Sequence, residues 1–87
     1  MKLILAIVRD ADSDLVTQAL TSSNFRVTRI ASTGGLLRRG VTTLMVGVED
    51  GQVEPAIQLL HERTTPSSGD EKRAVVFVMD VEKFMQI

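Results

Sequence analysis

The chain has 87 residues, ten basic and eleven acidic side chains and a formal net charge of −1, so it reads as one domain over residues 1–87 and lacks the overall basic charge of a general nucleic-acid binder. It has no cysteine, which excludes disulfides, thiolate metal sites and thiol catalysis, and its single histidine, His61, excludes a multi-histidine metal site built from one subunit. A domain this small buries only about 60–65% of the surface its unfolded chain exposes, so help from a partner subunit is expected.

Residues 3–8, Leu-Ile-Leu-Ala-Ile-Val, form a short apolar run ended by Arg9 and Asp10. Its length and β-branched content predict a central strand buried on both faces. The run is too short to cross a membrane and has no signal-peptide cleavage pattern, so a cytoplasmic, membrane-free protein is expected. Asp10, Asp12 and Ser13 offer N-caps for a helix over 12–22 whose apolar face is Leu15, Val16, Ala19 and Leu20. Asn24 marks the helix exit. Residues 25–31 then alternate, with Arg26 and Thr28 on one face and Phe25, Val27 and Arg29 on the other, which predicts a second strand.

Residues 31–43 combine the paired Gly34 and Gly35 with hydroxyls at Ser32, Thr33, Thr42 and Thr43 and with adjacent Arg38 and Arg39. No Asp or Glu occurs from Leu15 to Val48, while Arg26, Arg29, Arg38 and Arg39 all fall in that window. Arginine forks and free backbone N–H groups both donate to anionic oxygens, so the stretch suits a phosphate-bearing ligand; a hairpin turn with solvated arginines is the plain alternative. A third strand is predicted over 41–48, and Gly47 inside it is either a packing glycine or room left for a ligand.

Asp50 can cap a second helix starting near Gln52, with Val53, Ala56, Ile57, Leu59 and Leu60 on its apolar face and Pro55 near the first turn. His61 reads as a solvent-facing residue of that helix. Residues 63–73 form a polar connector whose composition predicts mobility. Residues 74–79 predict a fourth strand, two-sided and apolar. Asp80 is then expected to cap a last turn with Val81, Phe84 and Met85 on one side, folding the terminus back onto the body.

The order strand, helix, strand, strand, helix, strand is the split β-α-β arrangement of α+β ferredoxin-like folds, with both helices on one sheet face. The other face is apolar, and a homo-oligomer with sheets turned inward would bury it. With one histidine, no cysteine and no paired carboxylates in the glycine region, no nucleophile–base set is visible, so no catalysis is expected.

Met1-Lys2-Leu3, Ala6-Ile7-Val8, Asp10, Asp12, Asn24-Phe25-Arg26, Thr28, Thr33-Gly34-Gly35, Leu37-Arg38, Gly40, Thr42-Thr43 and Gly47-Val48-Glu49-Asp50 resemble the cyclic-di-AMP receptor proteins of the PII-like superfamily. The likeness runs from residue 1 to about 60 and resumes from Ala74 to Phe84. It implies a homotrimer that binds a cyclic adenine dinucleotide, cyclic di-AMP first, between subunits and signals through loop conformation rather than catalysis; no cofactor or metal is expected, and a downstream protein partner, if one exists, is not legible in the sequence. It places Asn24, Arg26 and Thr28 at the base and phosphate edges and Gly35, Leu37 and neighbouring backbone around the ring, with Leu36, Arg38 and Val41 in the same site and Gly47 leaving room. The chain departs from the family pattern at three points. Leu36 replaces an aromatic residue, Val41 replaces an asparagine, and the connector over 63–73 is far shorter than the family's loop. A trimer that has lost nucleotide binding and serves as an interaction module is the alternative that these departures suit.

Overall fold

Four short strands and two helices make up the computed structural model, which describes residues 1–32, 40–66 and 72–87. In chain order they are β1 (Lys2–Arg9), α1 (Asp10–Ser22), β2 (Arg26–Ser32), β3 (Val41–Val48), a 3-10 turn (Asp50–Gln52), α2 (Val53–Arg63) and β4 (Ala74–Asp80). The strands form one antiparallel sheet in the order β2-β3-β1-β4, so the first and third strands are central and the class is α+β, ferredoxin-like. Among the described residues no helix is long and apolar enough to cross a membrane.

Side chains alternate along a strand, and that alternation divides the sheet into two unlike faces. β1 sends Ile4, Ala6 and Val8 to the buried side and β3 sends Leu44, Val46 and Val48, where they pack with Val16 and Leu20 of α1 and Ala56 and Leu60 of α2. The opposite face carries Leu3, Leu5 and Ile7 of β1, Met45 of β3, and Val75, Phe77 and Met79 of β4. Neither helix reaches it, and Phe77 is 53% exposed. β1 and β4, whose sequences predict burial on both faces, are therefore covered on one.

The start of α1 departs from expectation. The helix begins at Asp10, directly off β1, with Arg9 at the N-cap and no side chain capping it. Asp10 N donates to Gly40 O at 3.0 Å, so the first free N–H needs no cap. The buried carboxylates are used elsewhere. Asp10 accepts from the hydroxyl of Thr42, itself only 1% exposed. Asp12, 2% exposed, accepts from Thr65 N at 3.2 Å and Thr65 Oγ1 at 2.6 Å, with Arg9 Nε at 3.3 Å. Arg9 in turn donates to Thr65 O. Ser13 turns back to Asp10 O at 3.0 Å. Leu15 faces solvent rather than the core, because Val16 and Leu20 already fill the buried stripe.

Other corrections concern the remaining ends. β2 begins at Arg26 rather than Phe25, and a bulge between Arg29 and Ala31 leaves Ile30 exposed. Asp50 does not cap α2; it pairs with the N-terminal ammonium at 3.1 Å, and Gln52 holds the N-cap after a 3-10 turn. Asp80 belongs to β4 and pairs with Lys2 across the β1–β4 register, so no helical turn follows it. His61 is exposed, as expected for its helix face. The central part of the predicted mobile connector, residues 67–71, lies outside the described residues.

Two outcomes follow for stability. Asp12→Ala leaves both Thr65 donors without their acceptor and Arg9 without its ion-pair partner, so it should cost about 1.5–3 kcal/mol in denaturant unfolding at fixed protein concentration, and an unchanged midpoint would show that the junction does not hold the fold. The hydrogen bond from Lys2 and its charge hold the Asp80 carboxyl below its ordinary 3.8, and the hydrogen bond to Asp80 and its charge raise Lys2 above 10.5. The pair thus contributes across ordinary pH; the difference between Asp80→Asn and the wild type should be small, shrink with salt, and vanish as pH falls through the lowered Asp80 value.

Candidate functional site

α1 ends in a Schellman motif that fixes where β2 starts. Phe25 N donates to Leu20 O and Asn24 N to Thr21 O, both at 3.0 Å, and Asn24 takes the left-handed conformation with φ 69°. Phe25, partly buried, then packs on the core that contains Leu20. Asn24 is thus placed by its backbone, at the position where glycine or asparagine ends a helix.

Beyond that turn, Arg26 and Thr28 emerge on the uncovered sheet face. The register sets Arg26 opposite Gly47 and Thr28 opposite Met45 in β3, with Leu3 of β1 beyond Gly47 and Met79 of β4 beyond Leu3. One row therefore runs Arg26, Gly47, Leu3, Met79 across all four strands. Gly47 leaves a notch in the middle of that row, and a Cβ built there would come within 3.2 Å of Met1 Cε. The tail after β4 is tied to the same end of the sheet, because Val81 N donates to Met1 O at 3.2 Å.

These elements enclose a cleft of about 340 Å³, lined by Met1, Leu3, Arg26, Thr28, Met45, Gly47, Val81 and Phe84. Its walls are largely apolar, and Arg26 and Thr28 are the polar side chains that enter it, which is the usual make-up of a small-molecule site. Two other described arginines are occupied elsewhere on the sheet: Arg9 with Asp12, and Arg29 with Asp14 at 2.9 Å. Arg26 has no hydrogen-bond or ion-pair partner among the described residues.

Of the residues singled out by sequence, the cleft gathers Arg26, Thr28 and Gly47. Asn24 does not line it. Gly35, Leu36, Leu37 and Arg38 lie outside the described residues. Val41 stands on the same sheet face, opposite Arg9, but six residues along β3 from Gly47. At about 3.3 Å per residue that is about 20 Å, too far for one chain to bring both to one small cleft. Met1, Leu3, Met45, Val81 and Phe84 were not singled out. The signal for the first four was only apolarity at core-like spacing, and the register decides which of them faces the notch.

A family model described as cyclic-di-AMP receptor matches residues 1–69 of the chain. Among solved structures, the chain is similar to the crystal structure of a functionally unknown protein from Pediococcus pentosaceus ATCC 25745. The two are 27% identical with a TM-score of 0.79, over 99% of this chain and 96% of that one. A second protein of nearly the same length therefore carries this fold end to end, through β4 and the tail, which the family match does not reach.

If Asn24 serves the backbone, Asn24→Gly should leave thermal stability essentially unchanged while Asn24→Ala costs about 1–2 kcal/mol, the penalty of a left-handed alanine. Equal effects of the two would point to the amide group instead. Gly47→Ala should fold with little change in melting temperature, since the crowding atom is the far end of the flexible Met1 side chain.

Proposed function

The chain belongs to the cyclic-di-AMP receptor family, and from that premise we propose that it is a PII-like signalling protein that binds an adenine cyclic dinucleotide, cyclic di-AMP first, between the subunits of a homotrimer. The observation that carries this reading is Arg26, a cation with no partner among the described residues, set at the edge of an apolar cleft of about 340 Å³. A guanidinium there can donate two parallel hydrogen bonds to a phosphate, the Thr28 hydroxyl can add a third, and the apolar walls suit a purine.

The intersubunit placement draws on two features. The uncovered face exposes Val75, Phe77 and Met79 of β4 beside the half-buried Leu3, Leu5, Ile7 and Met45, and copies of this chain packed sheet against sheet would bury it. The family pattern also draws ligand contacts from the Val41 end and the Gly47 end of β3, and their separation of about 20 Å suits a site that takes one end from each of two subunits.

A second reading, a trimer that no longer binds nucleotide and acts as an interaction module, is favoured by Leu36 and Val41 in place of the family's aromatic and asparagine residues. The similar protein of nearly equal length has no known function, so the short connector comes with no assigned ligand there.

Calorimetric titration with cyclic di-AMP, cyclic di-GMP, ATP and AMP, with solution mass measured alongside, separates the two readings. We expect heat with cyclic di-AMP and a trimer mass. Silence with every nucleotide at high micromolar concentration would leave the interaction module, and a monomer would remove the intersubunit site. Arg26→Ala should weaken nucleotide binding about 10- to 100-fold, the loss of a charge-assisted hydrogen bond, while the melting temperature stays within about 2 °C.

A further inference from the structure

The C-terminal tail adds to the cleft the one kind of group that the strands around it do not supply. Phe84 lines the cleft yet is 60% exposed. Phe84 is one of only three phenylalanines in a chain with no Tyr or Trp. A ring of that size yields most of its stabilisation when buried, so leaving it open to solvent at a cleft mouth forgoes a contact that some other surface must complete. The tail is not loose there. Val81 N is bonded to Met1 O at 3.2 Å, and Asp80 just before it is paired with Lys2, so the residues leading to Phe84 are fastened to the first residues of β1.

The same cleft is lined by the thioether side chains of Met1 and Met45 and the side chain of Leu3. Thioethers are polarizable and pack well on flat π systems. The slot is thus bounded by an aromatic ring and by soft apolar groups, with the guanidinium of Arg26 at its β2 side. That combination fits a planar heteroaromatic ring joined to an anionic group.

Resting on the nucleotide-binding reading above, we propose that Phe84 is the base-stacking residue of this cleft. It holds the nucleobase against Met1, Met45 and Leu3 while Arg26 meets the phosphate. The base preference of the site is then set by the tail rather than by the sheet, because an aromatic stack rewards the larger π surface of a purine.

The test compares the full chain with Phe84→Leu and Phe84→Trp, using cyclic di-AMP as the probe in calorimetry and in proton NMR, with solution mass and melting temperature as controls. Phe84→Leu, which keeps the apolar bulk, should weaken binding roughly 5- to 150-fold, the range of one base–aromatic stack, and Phe84→Trp should bind as well as the wild type or better. Adenine H2 and H8 should shift upfield on binding to the wild type and lose that shift in Phe84→Leu. Mass and melting temperature should not change. Wild-type affinity in Phe84→Leu would overturn the proposal and leave the nucleotide reading standing. A loss of binding that only tracks a loss of assembly or stability would overturn it in favour of an interface role for the ring. A wild-type chain that binds no nucleotide overturns both.

Discussion

The two helices, thirteen and eleven residues long, lie on the same side of a four-stranded sheet and satisfy only that side. Ile4, Ala6 and Val8 of β1 and Leu44, Val46 and Val48 of β3 are buried beneath them, and among the described residues every hydrophobic side chain buried below a tenth of its surface belongs to this one layer. The residues between them on the same strands, Leu3, Leu5, Ile7 and Met45, are no less apolar but have no helix to pack on. One-sided coverage is therefore the constraint from which the rest descends. It leaves an apolar face open, and it places the cleft where that face meets the polar edge strand β2, because Arg26 and Thr28 point to the open side by alternation alone.

What holds the covered side in register is a polar knot at the β1–α1 junction. Asp10 ties the helix start to Gly40 and Thr42 at the entry of β3, and Asp12 ties it to Thr65 just past α2. Buried carboxylates are tolerated only when their oxygens are met, and here each is met by a hydroxyl, with Arg9 adding charge to Asp12. The same six residues thus fix the β1–α1 join, the entry of β3 and the exit of α2. A substitution there would move both ends of the helical layer at once.

The strands were legible because each is a short apolar, β-branched or alternating run: β3 occupies residues 41–48 as its β-branched run predicts, and the face shared by Arg26 and Thr28 follows from alternation. The acidic residues misled. Asp10, Asp12, Asp50 and Asp80 all resemble helix caps in sequence, yet each makes a long-range contact, with Thr42, Thr65, the N-terminal ammonium and Lys2 respectively. Local capping rules carry no information on which distant donor will be folded against a carboxylate. Phe84 was hidden for the same reason. Its place is set by one backbone bond from Val81 to Met1, eighty positions away in sequence.

The glycine-rich stretch between β2 and β3 drew attention as the place built to hold something, yet the described cleft lies at the far end of those two strands. Arg26 opens β2 and Gly47 nearly closes β3, while Ser32 and Gly40, which flank residues 33–39, stand at the other end of the ladder, about 20 Å away. An antiparallel pair cannot bring its turn and its open end together. On the proposed reading the stretch and the cleft serve one ligand from different copies of the chain, the Ser32 and Gly40 end of one meeting the Arg26 end of the next. The apolar sheet face that the helices leave uncovered runs between those two ends, through Met45 and Thr43 on β3 and Leu5 and Ile7 on β1. On the proposed assembly, burial of that face and completion of the site are then the same event, and ligand affinity should be inseparable from subunit association.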